Sequence, residues 1–316
     1  MFSFVKCHHL GNDFILIDDR LDIFPISPAL VQKLCRFHIG IGADGLILLK
    51  QSKKSDFKMR LFNSDGSEAA SCGNGLACLA LFIQKSLKPK EDQKPTTQEQ
   101  SQSLKNQSVK NTIQEASESN FTIETLAGEV KAVFKKGIVT LQMPDPKILQ
   151  KEKTVQIDFF KHKSKNSHSN ENEYTRKNDT KKILPFFHVD TGVEHAVTFV
   201  DDFDFDLEKT GKALRHHAAF QPYGVNLDFA KLTSDGAGID LRVYEKGVEA
   251  ETLACGTGAI ATALAAFYRY NIKPPVLINF KQGSLKIDFE IKKDIIKTVK
   301  LITIPNWVYS GNFLLD

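Results

Sequence analysis

Apolar residues in this chain come in short runs bounded by Gly, Pro, Asn and Asp. Such runs predict strands over 3–7, 14–18, 46–49, 58–62, 121–125, 129–134 and 138–142 in the first part of the chain. They predict further strands over 186–190, 196–200, 225–232, 239–244, 276–280, 285–291 and 298–304. Three stretches read as helices: 28–36 with Ser27 as its cap, 76–85 with a buried composition, and the small, apolar run after Gly258. The segments lack the strand–helix–strand rhythm of a parallel sheet, which points to the α+β class.

Two polar tracts interrupt this pattern. Residues 86–118 are rich in Gln, Lys, Ser and Asn, and residues 161–182 hold a single apolar side chain, Tyr174. Neither can bury enough surface to order itself, so both read as insertions, the first as a disordered surface loop. They account for an apolar content of 41%, which is low for a globular chain. A length of 316 residues suits two domains better than one core. The net charge of +4 is too mild to argue for nucleic acid, and no run is long and apolar enough to span a membrane. Five cysteines without a secretory segment point to reduced thiols in a cytoplasmic protein.

One internal echo carries the chemistry. Glu68-Ala69-Ala70-Ser71-Cys72-Gly73-Asn74-Gly75 matches Glu251-Thr252-Leu253-Ala254-Cys255-Gly256-Thr257-Gly258, and an apolar run of helical length follows each. The repeat suggests a duplicated domain with pseudo-twofold symmetry. Glycines after a cysteine let backbone approach a ligand, and the first turn of a helix offers unpaired N–H groups that hold a carboxylate. The same positive end is expected to lower a thiol pKa. Two such ends facing one carboxylate would set a sulfur on either side of its α-carbon. One sulfur removes the α-proton and the other delivers a proton to the opposite face, which inverts the carbon.

For a single cysteine the plainer reading is a small buried hydrophobe, and Cys7, Cys35 and Cys78 are read that way. No Cys-x-x-Cys pair or His-Glu-x-x-His motif occurs, and the adjacent pairs His8-His9 and His216-His217 cannot both face one metal, so no metal site is expected. No lysine sits in a convincing pyridoxal context, and the glycines at 40, 42 and 45 make no nucleotide fingerprint. No cofactor is expected, and the partner is a small-molecule amino acid.

Taken in order, these motifs resemble the diaminopimelate epimerase family nearly end to end. The matching pieces are Gly11-Asn12-Asp13-Phe14, Gly40-Ile41-Gly42-Ala43-Asp44-Gly45, Phe62-Asn63-Ser64-Asp65-Gly66-Ser67, Thr191-Gly192 with His195, Gly224-Val225-Asn226, Arg242-Val243-Tyr244-Glu245 and the two cysteine motifs. The resemblance implies two pseudo-symmetric domains, each a mostly antiparallel, barrel-like sheet around a central helix, with the active site in the cleft between them. Residues 1–120 with 303–316 would form the domain of Cys72, and 121–302 that of Cys255. Cys72 and Cys255 would be the acid–base pair, supported by His195 and Glu245. Gly73, Asn74, Gly256 and Thr257 would hold the α-carboxylate through backbone N–H groups, and Asn12, Asn63, Asn226 and Lys246 would bind substrate. The resemblance allows a homodimer without requiring one. It also implies interconversion of LL- and meso-diaminopimelate; the alternative is a broader amino-acid racemase of the same design, acting on glutamate or proline-type substrates.

Departures from the family pattern concern the far end of the substrate more than the reacting carbon. Lys246 stands where the family has Arg, so a bidentate guanidinium becomes a point charge. Val193 stands where Asn is frequent, Glu194 where Pro is usual, Ala77 where Arg is common and Gly45 where some members have Gln. The stretch 247–251 is one residue longer than the shorter family form.

Overall fold

The computed structural model describes residues 1–87, 118–160, 179–293 and 295–315. The bulk of both expected insertions, 88–117 and 161–178, therefore lies outside the described residues. The edges of those tracts are structured: Ser86 and Leu87 end a helix, and 179–182 begin a strand.

The first part of the chain runs β1 (Phe2–His9), β2 (Asn12–Asp18), α1 (Pro28–Cys35), β3 (Gly45–Lys50), β4 (Phe57–Asn63), β5 (Glu68–Ala69), α2 (Gly73–Leu87), β6 (Ser119–Thr125), β7 (Gly128–Lys135) and β8 (Ile138–Gln142). The same order then recurs as β9 (Lys147–Phe160), β10 (Asp179–Asp190), β11 (Glu194–Phe199), α3 (Leu207–Arg215), β12 (Asn226–Leu232), β13 (Ile239–Glu245), β14 (Ala250–Thr252), α4 (Gly256–Tyr270), β15 (Val276–Phe280), β16 (Gly283–Lys292) and β17 (Ile295–Thr303). A last strand, β18 (Asn306–Phe313), pairs with β1.

Pairing makes the repeat explicit. β1–β2, β3–β4 and β4–β5 are antiparallel, and so are β10–β11, β12–β13 and β13–β14. The parallel pairs β2–β3 and β4–β6 recur as β11–β12 and β13–β15. β18 flanks β1 as β9 flanks β10. The halves join where β8 pairs antiparallel with β17, Leu141 opposite Leu301. The α+β class expected from the segment pattern and the mostly antiparallel, two-half arrangement implied by the family resemblance are both present. The boundary expected at residue 120 lies within β6, which pairs with β4 and β7.

Each half wraps one helix. Leu76 to Ile83 of α2 and Ala259 to Ala266 of α4 are buried on every side, and a helix apolar all round fits only inside its sheet. Expected helix 28–36 forms with Ser27 Oγ accepting from the Leu30 N–H at 3.2 Å and Pro28 in the first turn.

Candidate active site

The two Cys-Gly-x-Gly motifs open α2 and α4, and the two helix starts meet. A Cβ built on Gly256 would stand 3.9 Å from the Gly73 Cα, and Leu301 of β17 lies over both glycines. Each sulfur caps its own helix: the Gly258 N–H donates to Cys255 Sγ at 3.4 Å, and the N–H groups of Asn74 and Gly75 point at Cys72. Matched Arg–Glu pairs hold the strands leading into both motifs. Arg60 binds Glu68 with two hydrogen bonds of 2.8 and 2.9 Å, and Arg242 binds Glu251 with two of 2.7 Å.

The thiols depart from the sequence expectation. Burial pushes Cys72 up from the ordinary thiol value, against the N–H groups of Gly75 and Asn74. Burial pushes Cys255 up further, with the negative charges of Glu245 and Asp228 beside it. Loss of hydration outweighs the helix ends, so the resting protein holds two neutral thiols. Glu245 is itself raised by burial, while hydrogen bonds from the Thr252 hydroxyl and Cys255 thiol oppose that rise. Its negative charge also raises Cys72.

Behind Cys255 runs a buried relay. Cys255 Sγ lies 3.3 Å from Thr257 Oγ1, and Thr257 Oγ1 lies 3.0 Å from His195 Nε2. His195 Nδ1 donates to Asp228 Oδ2 at 2.7 Å, and both side chains are fully buried. The Lys246 backbone N–H donates to Asn226 Oδ1 at 2.7 Å, which turns Asn226 Nδ2 toward His195 Nε2 at 3.2 Å. An amide donor there requires a lone pair on Nε2 and places the ring proton on Nδ1, toward Asp228. The other Asp228 oxygen, Oδ1, has no hydrogen-bond partner among the described residues.

Behind Cys72 the arrangement differs. Asn74 Nδ2 donates to Asn12 Oδ1 and to the Ala254 carbonyl, each at 3.2 Å, the second bond crossing between the halves. Asn12 Nδ2 donates to Asp44 Oδ2 at 2.8 Å, and Asn12 Oδ1 accepts from the Cys72 thiol at 4.0 Å. His9, fully buried, meets Asn74 Oδ1 through Nδ1 at 2.7 Å and Thr303 Oγ1 through Nε2.

Cys72, Cys255, Gly73, Asn74, Gly256, Thr257, His195, Glu245, Asn12 and Asn226 thus gather around the paired helix starts. Asn63 does not join their hydrogen bonds: it is exposed and donates to Ser67 Oγ at 3.0 Å, closing the turn after β4. Lys246 enters through its backbone, while its exposed ammonium stands 5.9 Å from the Tyr223 ring centroid. Val193 is half exposed, and Glu194 faces His188 at 2.9 Å. Cys7, Cys35 and Cys78 are buried core residues. Among the described residues no group of three or more His, Cys, Asp or Glu is arranged to hold a metal ion. A shallow groove on the outer face of β6–β8, lined by Asp56, Lys131 and Lys300 among others, lies away from this chemistry.

Sequence reasoning missed two buried residues. Asp228 shares its strand face with Asn226 two positions earlier, and His9 continues the inward face of Val5 and Cys7. Period-two reading of those strands was the available signal.

Comparison with known proteins bears on the whole chain. The family model for diaminopimelate epimerase matches residues 4–148 and 187–301. A diaminopimelate epimerase of Aquifex aeolicus is 35% identical over 301 residues, covering 91% of this chain and 90% of its own. One from Archaeoglobus fulgidus is 32% identical over 293 residues, covering 90% and 89%. Among solved structures, a PhzF-family phenazine biosynthesis protein of Bacillus anthracis aligns with a TM-score of 0.63 at 14% identity, covering 99% of each chain. A hydroxyproline epimerase of Agrobacterium vitis, solved with bound trans-4-hydroxy-L-proline, aligns with a TM-score of 0.60 at 16% identity, covering 98% of this chain and 90% of its own. At those identities the likeness is one of fold.

Proposed function

The chain belongs to the diaminopimelate epimerase family, and we propose that it interconverts LL- and meso-2,6-diaminopimelate by proton transfer between Cys72 and Cys255 across the α-carbon. The observation that carries this reading is the meeting of two cysteine-capped helix starts. Backbone N–H groups of Gly73-Asn74 and Gly256-Thr257 hold the α-carboxylate, and the reacting carbon then lies between the sulfurs.

One sulfur must first lose its proton. Glu245 is suited to take it, because it accepts from the Cys255 thiol and burial raises its proton affinity toward that of a thiolate. The Gly258 N–H, which donates to Cys255 Sγ from the first turn of α4, steadies charge on the sulfur as it forms. Cys72, whose thiol donates to Asn12 Oδ1, keeps its proton and delivers it to the other face of the carbanion. Run backwards, the roles exchange. Asn226 and the Lys246 region take the distal amino-acid end. A reducing cytoplasm suits two free thiols, and the product serves lysine and peptidoglycan precursor synthesis.

The test is loss of the α-proton NMR signal from LL-diaminopimelate in deuterated water, run beside glutamate and proline. Exchange with diaminopimelate above all others is the expected result. Exchange only with another amino acid would move the chain to a racemase, and no exchange with any would end the reading.

A further inference from the structure

His9 has no part in the proton transfer itself, yet its surroundings resemble those of His195. Each histidine is completely buried, and each contacts the residue two after a cysteine: His195 meets Thr257, and His9 meets Asn74. The two arrive from different strands, β11 and β1, so the likeness is not a by-product of the repeated pairing.

Hydrogen-bond directions around His9 run one way only. The Ala254 carbonyl and Asn12 Oδ1 both accept from Asn74 Nδ2, so Asn74 Oδ1 must face His9. His9 Nδ1 must then carry the proton, and Nε2 accepts from the Thr303 hydroxyl. Asn12 is turned in the same sense, because its Nδ2 is taken by Asp44 and its Oδ1 is left for Asn74 and the Cys72 thiol. Flipping the Asn74 amide would set acceptor against acceptor at Asn12 and leave the Ala254 carbonyl unpaired. Among the described residues, it is His9 Nδ1 that meets the Oδ1 side and opposes that flip.

We propose that His9 is the positioning residue of the Cys72 half, its Nδ1–H locking the Asn74 amide so that Asn12 Oδ1 stays aimed at the Cys72 thiol and the two cysteine loops stay tied through Ala254. This deepens the epimerase reading and rests on it for the word positioning. Burial lowers the His9 pKa to about 4, so the ring keeps this single tautomer across the working pH range.

Two substitutions separate the role from mere packing. In His9→Asn the amide Nδ2 stands where Nδ1 was and still donates to Asn74; in His9→Gln the amide reaches toward Thr303 and leaves Asn74. His9→Gln is expected to lose about tenfold in kcat, the scale of one buried hydrogen bond with its partner orphaned. The pH midpoint for Cys72 alkylation, followed by mass spectrometry, is expected to fall by about half a unit as its acceptor turns away, with Cys255 unmoved. His9→Asn should keep kcat within about twofold and leave the Cys72 midpoint unchanged. A His9→Gln protein equal to the natural one in both readouts overturns the proposal, and so does a His9→Asn protein as impaired as His9→Gln. Should His9→Gln not fold, nitrogen-15 shifts of the natural protein decide: an Nδ1–H tautomer at His9 supports the proposal, and an Nε2–H tautomer overturns it. Alkylation and tautomer are read without substrate, so a natural protein inactive on diaminopimelate would end the functional reading and leave the His9 result standing.

Discussion

Gly75 and Gly258 hold the same place in the two halves, three residues into the cysteine motifs, yet alanine should treat them oppositely. At Gly258 a Cβ would lie 2.6 Å from Asp228 Oδ1, 3.3 Å from His195 Cε1 and 3.4 Å from Cys255 Cβ. Asp228 and His195 are fully buried and hold each other, and the buried Cys255 is held by the Gly258 N–H, so none can step aside cheaply. At Gly75 the nearest atom is Ile47 Cδ1 at 3.1 Å, the free end of a side chain, with Phe14 Cζ at 3.6 Å and Cys72 Cβ at 3.7 Å. Overpacking a rigid site costs about 1–3 kcal/mol, which for a chain of this size lowers Tm by roughly 2–5 °C. Displacing Asp228 or the Gly258 N–H also disturbs the cap on Cys255, so kcat/KM should fall at least about tenfold. Gly75→Ala gains up to ~1 kcal/mol of helix propensity and should melt at or slightly above the natural temperature, with activity kept within a few fold. Differential scanning calorimetry and α-proton exchange read both quantities. Should Gly258→Ala melt and turn over like Gly75→Ala, the rigidity assigned to the Asp228–His195 pair is wrong.

Cys72→Ala and Cys255→Ala should each abolish epimerisation, measured by NMR in deuterated water, because inversion needs a group on both faces; substantial turnover by either would sink the two-base mechanism. His9 holds a folded pKa near 4 against an ordinary 6.5, so its stabilisation is present above pH 6.5 and lost as pH falls through 4. His9→Asn should lack that acid-side loss, a difference of about 3 kcal/mol in urea unfolding between pH 7 and pH 4; parallel curves would contradict it. Burial pushes Cys35 up to about 12, so its contribution holds below about pH 9 and is lost as pH rises toward 12. A flatter alkaline limb in Cys35→Ala checks this. Lys246→Arg should raise the preference for diaminopimelate over glutamate by about 1 kcal/mol, seen in competing exchange rates; no change would detach this side chain from the distal end of the substrate.

The sequence was most legible where burial and turn chemistry agreed. Strands such as 129–134 and 285–291 and the two all-apolar helices were found because one pattern served both local propensity and core. β9 escaped notice because its lysines and glutamine suit an edge strand and dilute its apolar alternation. α3 escaped because its buried face includes Thr210 and Gly211 between Leu207 and Leu214. That glycine lets the helix lie on Tyr244, where a Cβ would come within 2.7 Å of the ring. The cysteine pair was visible as a repeat, but the direction of its pKa shift was not. Helix ends are local and readable, whereas desolvation depends on what the whole fold packs around the sulfur. His9 and Asp228 were hidden for the same reason, since their partners lie 65 and 33 residues away.

The ladder between β8 and β17 has an evolutionary consequence. Because those strands occupy the same place in their halves and pair antiparallel, a single half standing alone would leave that edge bare and could satisfy it with a second copy of itself. Such an isologous dimer would present identical groups to both sides of any carbon bound on its dyad. An α-carbon carries its hydrogen on one side only, and a substrate with two unlike ends has no dyad to match. Joining the copies in one chain released them to diverge: Asn74 on one side and Thr257 on the other, His9 held by Thr303 and His195 by Asp228, and Glu245 from the second half alone. Chirality of the substrate is thereby read by the differences between two relics of one module.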